Sequence, residues 1–484
     1  MPSHPNIVYI FADDLGYGDL GCYGSQKIPT PHIDRIASEG MRFTDAHSCS
    51  AVCTPSRYGL LTGRYCWRSP LQQSVLRSYE PPLIEYGRST VGSILKSVGY
   101  HCSAIGKWHL GLEYSCKPGC FLDFERQAGT WPLASRSLSD CIDFSQPLGG
   151  GPISLGFDSF FGTSACSTSM PPYAFIEGDR WLVEPSEYLN DGITPRPGPS
   201  APGWRHDEVD TRFTERAVEE ISGWAASDQP HFLYLAASAP HEPCMPEAVP
   251  SFARGKSQAG SRGDLIWLFD WMCGEVYHTL EETGQLDNTW LIISSDNGAL
   301  PGDLQNPDSA KRSQNGYEDY GHKSNGDWRG YKSHIWEGGH RVPLIMRWPE
   351  RIPAGSTNSG VTDLLDLCAT AAAITGAEIP PGQAEDSIDI SCLLRGDGPS
   401  PREFIIHHSI WGVFALRQGN WKVIFETEGS GGYPWPKGEG PEMGTAGQIY
   451  NISEDPQEEH NLWHSRPDIV ALFSERMMQA RRSS

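Results

Sequence analysis

Asn6-Ile7-Val8-Tyr9-Ile10-Phe11-Ala12-Asp13-Asp14 is the stretch that decides the fold. A continuous apolar run that stops at two aspartates is the pattern of a strand buried on both faces of a sheet, with polar groups delivered at its carboxyl end. The same pattern recurs at Phe232–Ala236, which leads to Pro240-His241-Glu242-Pro243, and at Trp290–Ser294, which leads to Asp296-Asn297-Gly298. Tyr100–Ile105 reads as a further strand, followed by Gly106-Lys107-Trp108-His109-Leu110-Gly111. Helical segments lie between them. Thr30-Pro31 opens one that runs to Gly40, Ser89-Thr90 opens one that ends near Gly99, and Asp210–Ala226 and Leu265–Glu282 carry helical apolar spacing. Helices alternating with buried strands predict an α/β fold: a large, mostly parallel sheet sandwiched by helices.

After Gly396 the character changes. Phe404–His408, Val413–Arg417 and Trp421–Phe425 are close-spaced strands, and a last helix runs from about Pro467 to Arg481. This predicts a small C-terminal α+β subdomain of antiparallel strands and one helix, over 396–484, after a catalytic domain over 1–395. Residues 113–155 read as an irregular insertion, closed by Gly156–Gly162, and 177–207 as loop.

The chain has 484 residues, 38% of them hydrophobic and 20% charged, enough for a large core and inconsistent with a disordered chain. No stretch approaches the 18 uninterrupted apolar residues of a membrane span. Lys and Arg total 38 against 60 Asp and Glu, a net charge of -22. That excludes nucleic acid as a partner, and an anionic substrate needs a local cationic pocket inside a negative shell. No signal peptide is visible at Met1-Pro2-Ser3-His4-Pro5, a start that suits an exported protein's mature end or a cytoplasmic protein. There are 13 cysteines. Cys116 and Cys120 suit a bridge or a metal pair, without a second pair to support zinc. The thiols are expected to be mostly reduced.

Ligands of open α/β sheets bind at the carboxyl ends of the strands. Asp13, Asp14, Asp296 and Asn297 all fall there. Alone, each motif reads as a turn or cap. Together, three carboxylates and an amide make an all-oxygen site that selects Ca2+ or Mg2+ over zinc. Cys53-Thr54-Pro55-Ser56-Arg57 begins a further helix, whose first N–H groups stabilise a negative oxygen. Arg57 sits one turn on, placed for a charge-assisted hydrogen bond. On an extended segment Lys107 and His109 face the same side and enter one pocket.

Cys53-x-Pro55-Ser56-Arg57 followed by Leu60-Leu61-Thr62-Gly63 resembles the signature of the type I sulfatases, of the alkaline phosphatase-like superfamily. The segments at Asp13–Asp19, Gly106–Gly111, His241, Arg329–Pro343 and Tyr450–Pro456 also resemble that family, so the likeness spans nearly the whole chain. The resemblance implies that a formylglycine-generating or anaerobic sulfatase-maturing enzyme oxidises Cys53 to formylglycine, an aldehyde whose hydrate attacks sulfur. It implies that Asp13, Asp14, Asp296 and Asn297 hold Ca2+ with the modified Cys53, and that Arg57 holds the hydrate. Lys107, Lys332 and His241 neutralise the ester oxygens, one of Lys332 or His241 serves the leaving alcohol, and His109 takes the proton that releases sulfate. Family resemblance also implies a periplasmic or secreted location. Tyr331 and His340 depart from the pattern, where small and aliphatic residues are usual, and they bear on pocket wall or packing.

A phosphonate monoester or phosphodiester hydrolase on the same fold is the enzymatic rival, and a non-catalytic sulfated-glycan binding protein the other. Two-zinc phosphatase chemistry is disfavoured, since Lys107, Lys332 and Arg57 would repel a second metal. Ser169–Tyr173 and His407-His408-Ser409 resemble stretches of bacterial polysaccharide sulfatases. The expected substrate is therefore a sulfated sugar taken in an exo-type pocket. Its walls are assigned to 113–155, 163–205 and the C-terminal strands, with His322, Trp328 and His408 as sugar contacts.

Overall fold

In the computed structural model, which describes residues 4–122, 138–300, 310–313, 316–396, 398–425, 429–432 and 447–482, the Asn6–Ala12 strand lies near the middle of a sheet of ten strands. It pairs in parallel with Thr289–Ser295 on one side and His231–Ala236 on the other. His101–Lys107 and Ser159–Thr163 continue the parallel series. Alternation explains the apolar run: Ile7, Tyr9 and Phe11 enter the core on one face, Val8, Ile10 and Ala12 the core on the other. Full burial of each large side chain contributes about 1.5–3 kcal/mol. The helix Gly260–Glu282 covers the second face together with Pro31–Ser38 and Val209–Trp224. On the first face, Thr90 caps Val91–Lys96 through a reciprocal bond with Ser93.

Three features refine the sequence reading. The sheet is mixed, because Leu344–Arg347 and Met41–Phe43 pair antiparallel on one flank and Ile176–Glu177 and Arg180–Trp181 on the other. Arg180–Trp181 returns on Ile176–Glu177 through a two-residue turn, which gives antiparallel pairing, whereas parallel pairing needs a long crossover. Ser159–Thr163, read as the end of an insertion, is a strand of the sheet. The C-terminal sheet has four antiparallel strands, Gln448–Asn451 joining Ile405–His408, Phe414–Gln418 and Trp421–Ile424. The helix Pro467–Arg482 buries Ile469, Phe473 and Met477 against Ile406, Leu416, Val423 and Ile449. Residues 123–137 of the expected pocket wall lie outside the described residues. No described helix is long and apolar enough to cross a membrane.

Candidate active site

Three parallel strands end side by side, so their following residues meet above one edge of the sheet. Asp13 and Asp14 follow Asn6–Ala12, Asp296 and Asn297 follow Thr289–Ser295, and His241 lies beyond His231–Ala236. Asp14 has φ 70°, a left-handed backbone costly for a non-glycine residue and typical of functional turns. Its N–H donates to Asp296 Oδ1 at 3.1 Å, which locks the two strand ends together. Gly106 tolerates no side chain, since a Cβ there would sit 1.9 Å from the Ala236 carbonyl oxygen. That close approach sets the path of the chain into Lys107 and His109.

Cys53 begins the helix Cys53–Thr62, all ten residues of which are buried, and no side chain caps its first turn. The Cys53 sulfur and ligand atoms of Asp13, Asp14 and His241 lie within 4.8 Å of one another. Arg57 donates to Asp296 Oδ2 through Nε at 3.2 Å and Nη2 at 2.9 Å, and Nη2 is 3.6 Å from Asp13 Oδ1. Lys107 Nζ meets Asp13 Oδ2 at 2.6 Å, and Lys332 Nζ meets Asp14 Oδ1 at 2.7 Å. Asn297 Nδ2 donates to Asp14 Oδ1 at 2.7 Å. The structure thus brings together Asp13, Asp14, Cys53, Arg57, Lys107, His109, His241, Asp296, Asn297 and Lys332.

Burial raises Asp13, yet Lys107, His241, Arg57 and Lys332 together hold its carboxyl well below the usual range. Asp296 is pushed well above it, by burial first and then by the charge of Asp13. Two oxygens in this buried site, Asp13 Oδ1 and Asn297 Oδ1, accept no hydrogen bond. Unpartnered oxygens beside crowded carboxylates fit a hard dication with oxygen donors.

The two histidines are wired differently. His109 Nε2 lies 2.9 Å from the Leu76 carbonyl, which only accepts, so Nε2 carries the hydrogen and Nδ1 keeps its lone pair. Burial, then Lys107, hold His109 below its ordinary pKa, so it stays neutral. Its Nδ1 is 3.6 Å from the sulfur of Cys166. Burial and Lys332 oppose the protonation of His241, but Asp13, Cys166 and Asp14 raise its pKa well above the ordinary value. One neutral and one protonated imidazole therefore flank Cys53.

Cys166 is the site residue that sequence reading missed. Its thiol touches His109, lies 3.8 Å from His241 Nε2, and shares a 4.8 Å cluster with Cys53 and His109. It follows the Ser159–Thr163 strand, so recognising that strand would have pointed to it. The residues expected to contact sugar are tied into the packing that borders the site, Arg262 of the His322 cluster donating to the Asp14 carbonyl at 3.0 Å. His322 Nε2 is held by Asp19 Oδ1 at 2.8 Å, in a buried cluster with Arg262. Trp328 is half-buried, with the Arg341 guanidinium 3.8 Å from its ring centroid. His408 is buried, and its backbone carbonyl accepts from Ala51 N two residues before Cys53. Of the two departures, Tyr331 packs on His334 and His340 is fully buried against His407, so the latter is packing.

A family profile described as Sulfatase matches residues 5–377. An N-acetylgalactosamine-6-O-sulfatase of Bacteroides thetaiotaomicron is 32% identical, covering 97% of this chain and 92% of that protein. Human arylsulfatase A is also 32% identical, over 95% of this chain and 83% of its own. Among solved structures, a Bacteroides thetaiotaomicron protein described in the metabolism of multiple glycosaminoglycans superposes with a TM-score of 0.82 at 29% identity, covering all of both chains. A Pseudoalteromonas sulfatase gives 0.73 at 26% identity, over 99% of this chain and 90% of that one.

Proposed function

Because the chain belongs to the sulfatase family, we propose that it removes sulfate from a sulfated sugar or oligosaccharide by exo action, with formylglycine made from Cys53 and Ca2+, or Mg2+ in its place. The enzyme is a sulfuric ester hydrolase. The observation that carries the finer reading is the meeting of Cys53 with Asp13, Asp14 and His241 beside two unpartnered oxygens. A sugar substrate is supported by the bacterial relative that acts on N-acetylgalactosamine 6-sulfate, as its name states. A periplasmic or secreted location goes with such a substrate, and a formylglycine-generating or anaerobic sulfatase-maturing enzyme is the partner required.

Asp13, Asp14, Asp296 and Asn297 would hold the cation, which supplies charge that polarises a sulfate oxygen. Formylglycine supplies an aldehyde hydrate, with one hydroxyl as nucleophile and a second that permits sulfate release. The chain's own side chains do the rest. Arg57 holds Asp296 and the first turn of the Cys53 helix in place. Lys107 and Lys332 provide positive charge for the ester oxygens. His241, whose Nε2 lies 3.8 Å from both Asp14 Oδ2 and the Cys166 sulfur, is placed to give a proton to the leaving alcohol. Neutral His109 presents Nδ1 as the acceptor for the proton whose removal frees sulfate.

The test uses protein co-expressed with a maturing enzyme. Mass spectrometry of the Cys53 peptide is expected to show a loss of about 18 Da relative to cysteine. The same protein is then given monosaccharides sulfated at each ring position, with a phosphodiester as control. Sulfate release from one positional isomer supports the proposal. Phosphodiester turnover without sulfate release overturns it in favour of a phosphonate or phosphodiester hydrolase.

A further inference from the structure

Three thiols gather at the base of the insertion, outside the catalytic centre. Residues 115–117 and 141–143 form a short antiparallel ladder. Lys117 N donates to the Cys141 carbonyl at 2.8 Å, Asp143 N donates to the Ser115 carbonyl at 2.9 Å, and Cys116 stands opposite Ile142. Opposite residues of such a ladder share a face, and successive residues alternate. Cys116 therefore shares the face of Ile142, which packs inward with Tyr79 and Leu138. Cys141 points to the other face, with Lys117. A turn then folds the chain back, Cys120 N donating to the Lys117 carbonyl at 3.0 Å. This return brings Cys120 to the Cys141 side, where the two thiols hydrogen-bond. Cys120 is exposed and Cys141 half-buried.

From this register we propose that Cys120 and Cys141 are a disulfide-forming pair that clasps the base of the insertion, with Cys116 left as a free thiol. The pairing differs from the Cys116–Cys120 bridge that sequence proximity suggests, because the ladder turns Cys116 inward. A structural zinc site needs four converging ligands. Among the described residues, the clusters whose ligand atoms all lie within 4.8 Å do not include these three thiols, and a pair of thiols in contact across the ladder is the arrangement from which a disulfide, rather than a metal site, would form. The reaction is a thiol–disulfide exchange with a disulfide oxidant such as oxidised glutathione. One cysteine thiolate attacks the oxidant, forming a mixed disulfide and releasing one glutathione. The second cysteine attacks the protein sulfur of that mixed disulfide, the Cys120–Cys141 bond forms, and the second glutathione leaves. The protein pair loses two electrons and two protons, and the oxidant gains them. The clasp would fix the register of the ladder that follows His109, Leu110 and Gly111, and with it the packing of Tyr114 on Tyr79, ring centroids 5.5 Å apart.

The test incubates the folded full-length protein with oxidised glutathione, removes the excess, alkylates free thiols and maps peptides without reduction. The expected product is a cross-link between the Cys120 and Cys141 peptides, about 2 Da lighter than the sum of the two thiol peptides. Alkylation falls on Cys116, and on exposed Cys392 as internal control, but not on Cys120 or Cys141. Cys120→Ser and Cys141→Ser each abolish the cross-link, and Cys116→Ser leaves it intact. Full alkylation of Cys120 and Cys141 in oxidised wild type overturns the proposal. So does a cross-link through Cys116 that survives Cys120→Ser. Because alkylation is read on the wild-type protein, the outcome does not depend on any variant folding.

Discussion

Asp13, Asp14 and Asp296 at the strand ends, and Asp45, Glu337 and Glu458 beneath the C-terminal sheet, are six buried carboxylates in two very different settings. In the second cluster every acid meets a cation. Arg417 bonds Asp45 at 2.6 and 2.8 Å, and Arg341 bonds Glu337 at 2.7 Å. Lys422 spans Glu337 at 3.1 Å and Glu458 at 2.8 Å. Three negative charges face three positive ones, and His47, His340 and His407 remain neutral between them, their pKa values pushed down first by burial. In the first cluster each acid also meets a cation, Lys107, Lys332 or Arg57, but Asp13 Oδ1 and Asn297 Oδ1 accept no hydrogen bond, and Asp296 is forced upward by burial and by Asp13. A closed charge set holds the fold. The first set is the one that the proposed cation and an anionic substrate would complete.

The contrast is broken most severely at Cys53. Cys53→Ser is expected to cut turnover by about 10⁴-fold or more, since serine has no second hydroxyl to expel sulfate. Its melting temperature should stay near wild type. Sustained multiple turnover in this variant would remove the aldehyde from the mechanism. Next comes Asp13→Asn, which weakens the proposed cation site while leaving the second cluster untouched. A fall of about 10²–10⁴-fold in kcat/KM is expected. With it goes the Ca2+-dependent rise in melting temperature of the chelated wild type, which at 100 times Kd corresponds to about 2.7 kcal/mol. If Ca2+ stabilises Asp13→Asn as much as wild type, the oxygens at the strand ends are not the site.

Glu337→Gln reverses the pattern. It removes the acid shared by Arg341, Arg417 and Lys422, leaving buried cations short of a partner. Loss of one member of such a set costs about 3–5 kcal/mol. The expected result is a large drop in denaturant midpoint with kcat of the folded fraction within a few fold of wild type. A variant as stable as wild type but inactive would show that the two clusters are not separable.

The two clusters also differ in how far the sequence revealed them. Asp13-Asp14 and Asp296-Asn297 each end an apolar run, and position after a buried strand is a local signal with a physical meaning. Lys107 and His109 follow the same logic. The closed cluster left almost no trace. Asp45, Glu337, Arg417 and Glu458 are far apart in the chain and become partners only when the C-terminal sheet docks beside the residues that lead into Cys53. Its one visible sign was His340, a polar residue where the family pattern is aliphatic. Cys166 was hidden because its strand, Ser159–Thr163, is short and lies between two irregular segments. The sugar-contact residues were the least legible, since exposure of a pocket wall depends on how loops pack. His322, spent on Asp19, shows how an apparently free histidine is taken up by a buried acid.

The smallest effect lies in the titration of the closed cluster. His407 Nδ1 donates to the Ser48 carbonyl at 3.1 Å, and its Nε2 has no partner. Burial, then His47 and Lys422, hold the folded-state pKa well below the ordinary value, whereas the unfolded imidazole takes a proton as pH falls through about 6.5. The unfolded state then binds more protons, so stability is present above that pH and is lost as pH falls toward the folded pKa. Each such histidine contributes a slope of up to about 1.4 kcal/mol per pH unit. His407→Asn keeps a donor for the Ser48 carbonyl and removes one titrating ring. Urea unfolding at several pH values from 7 to 5 should show a slope flatter by up to about 1.4 kcal/mol per unit in the variant. An unchanged slope would mean that His407 is protonated in the folded protein, and that the cluster beneath the C-terminal sheet carries a charge its three acids do not balance.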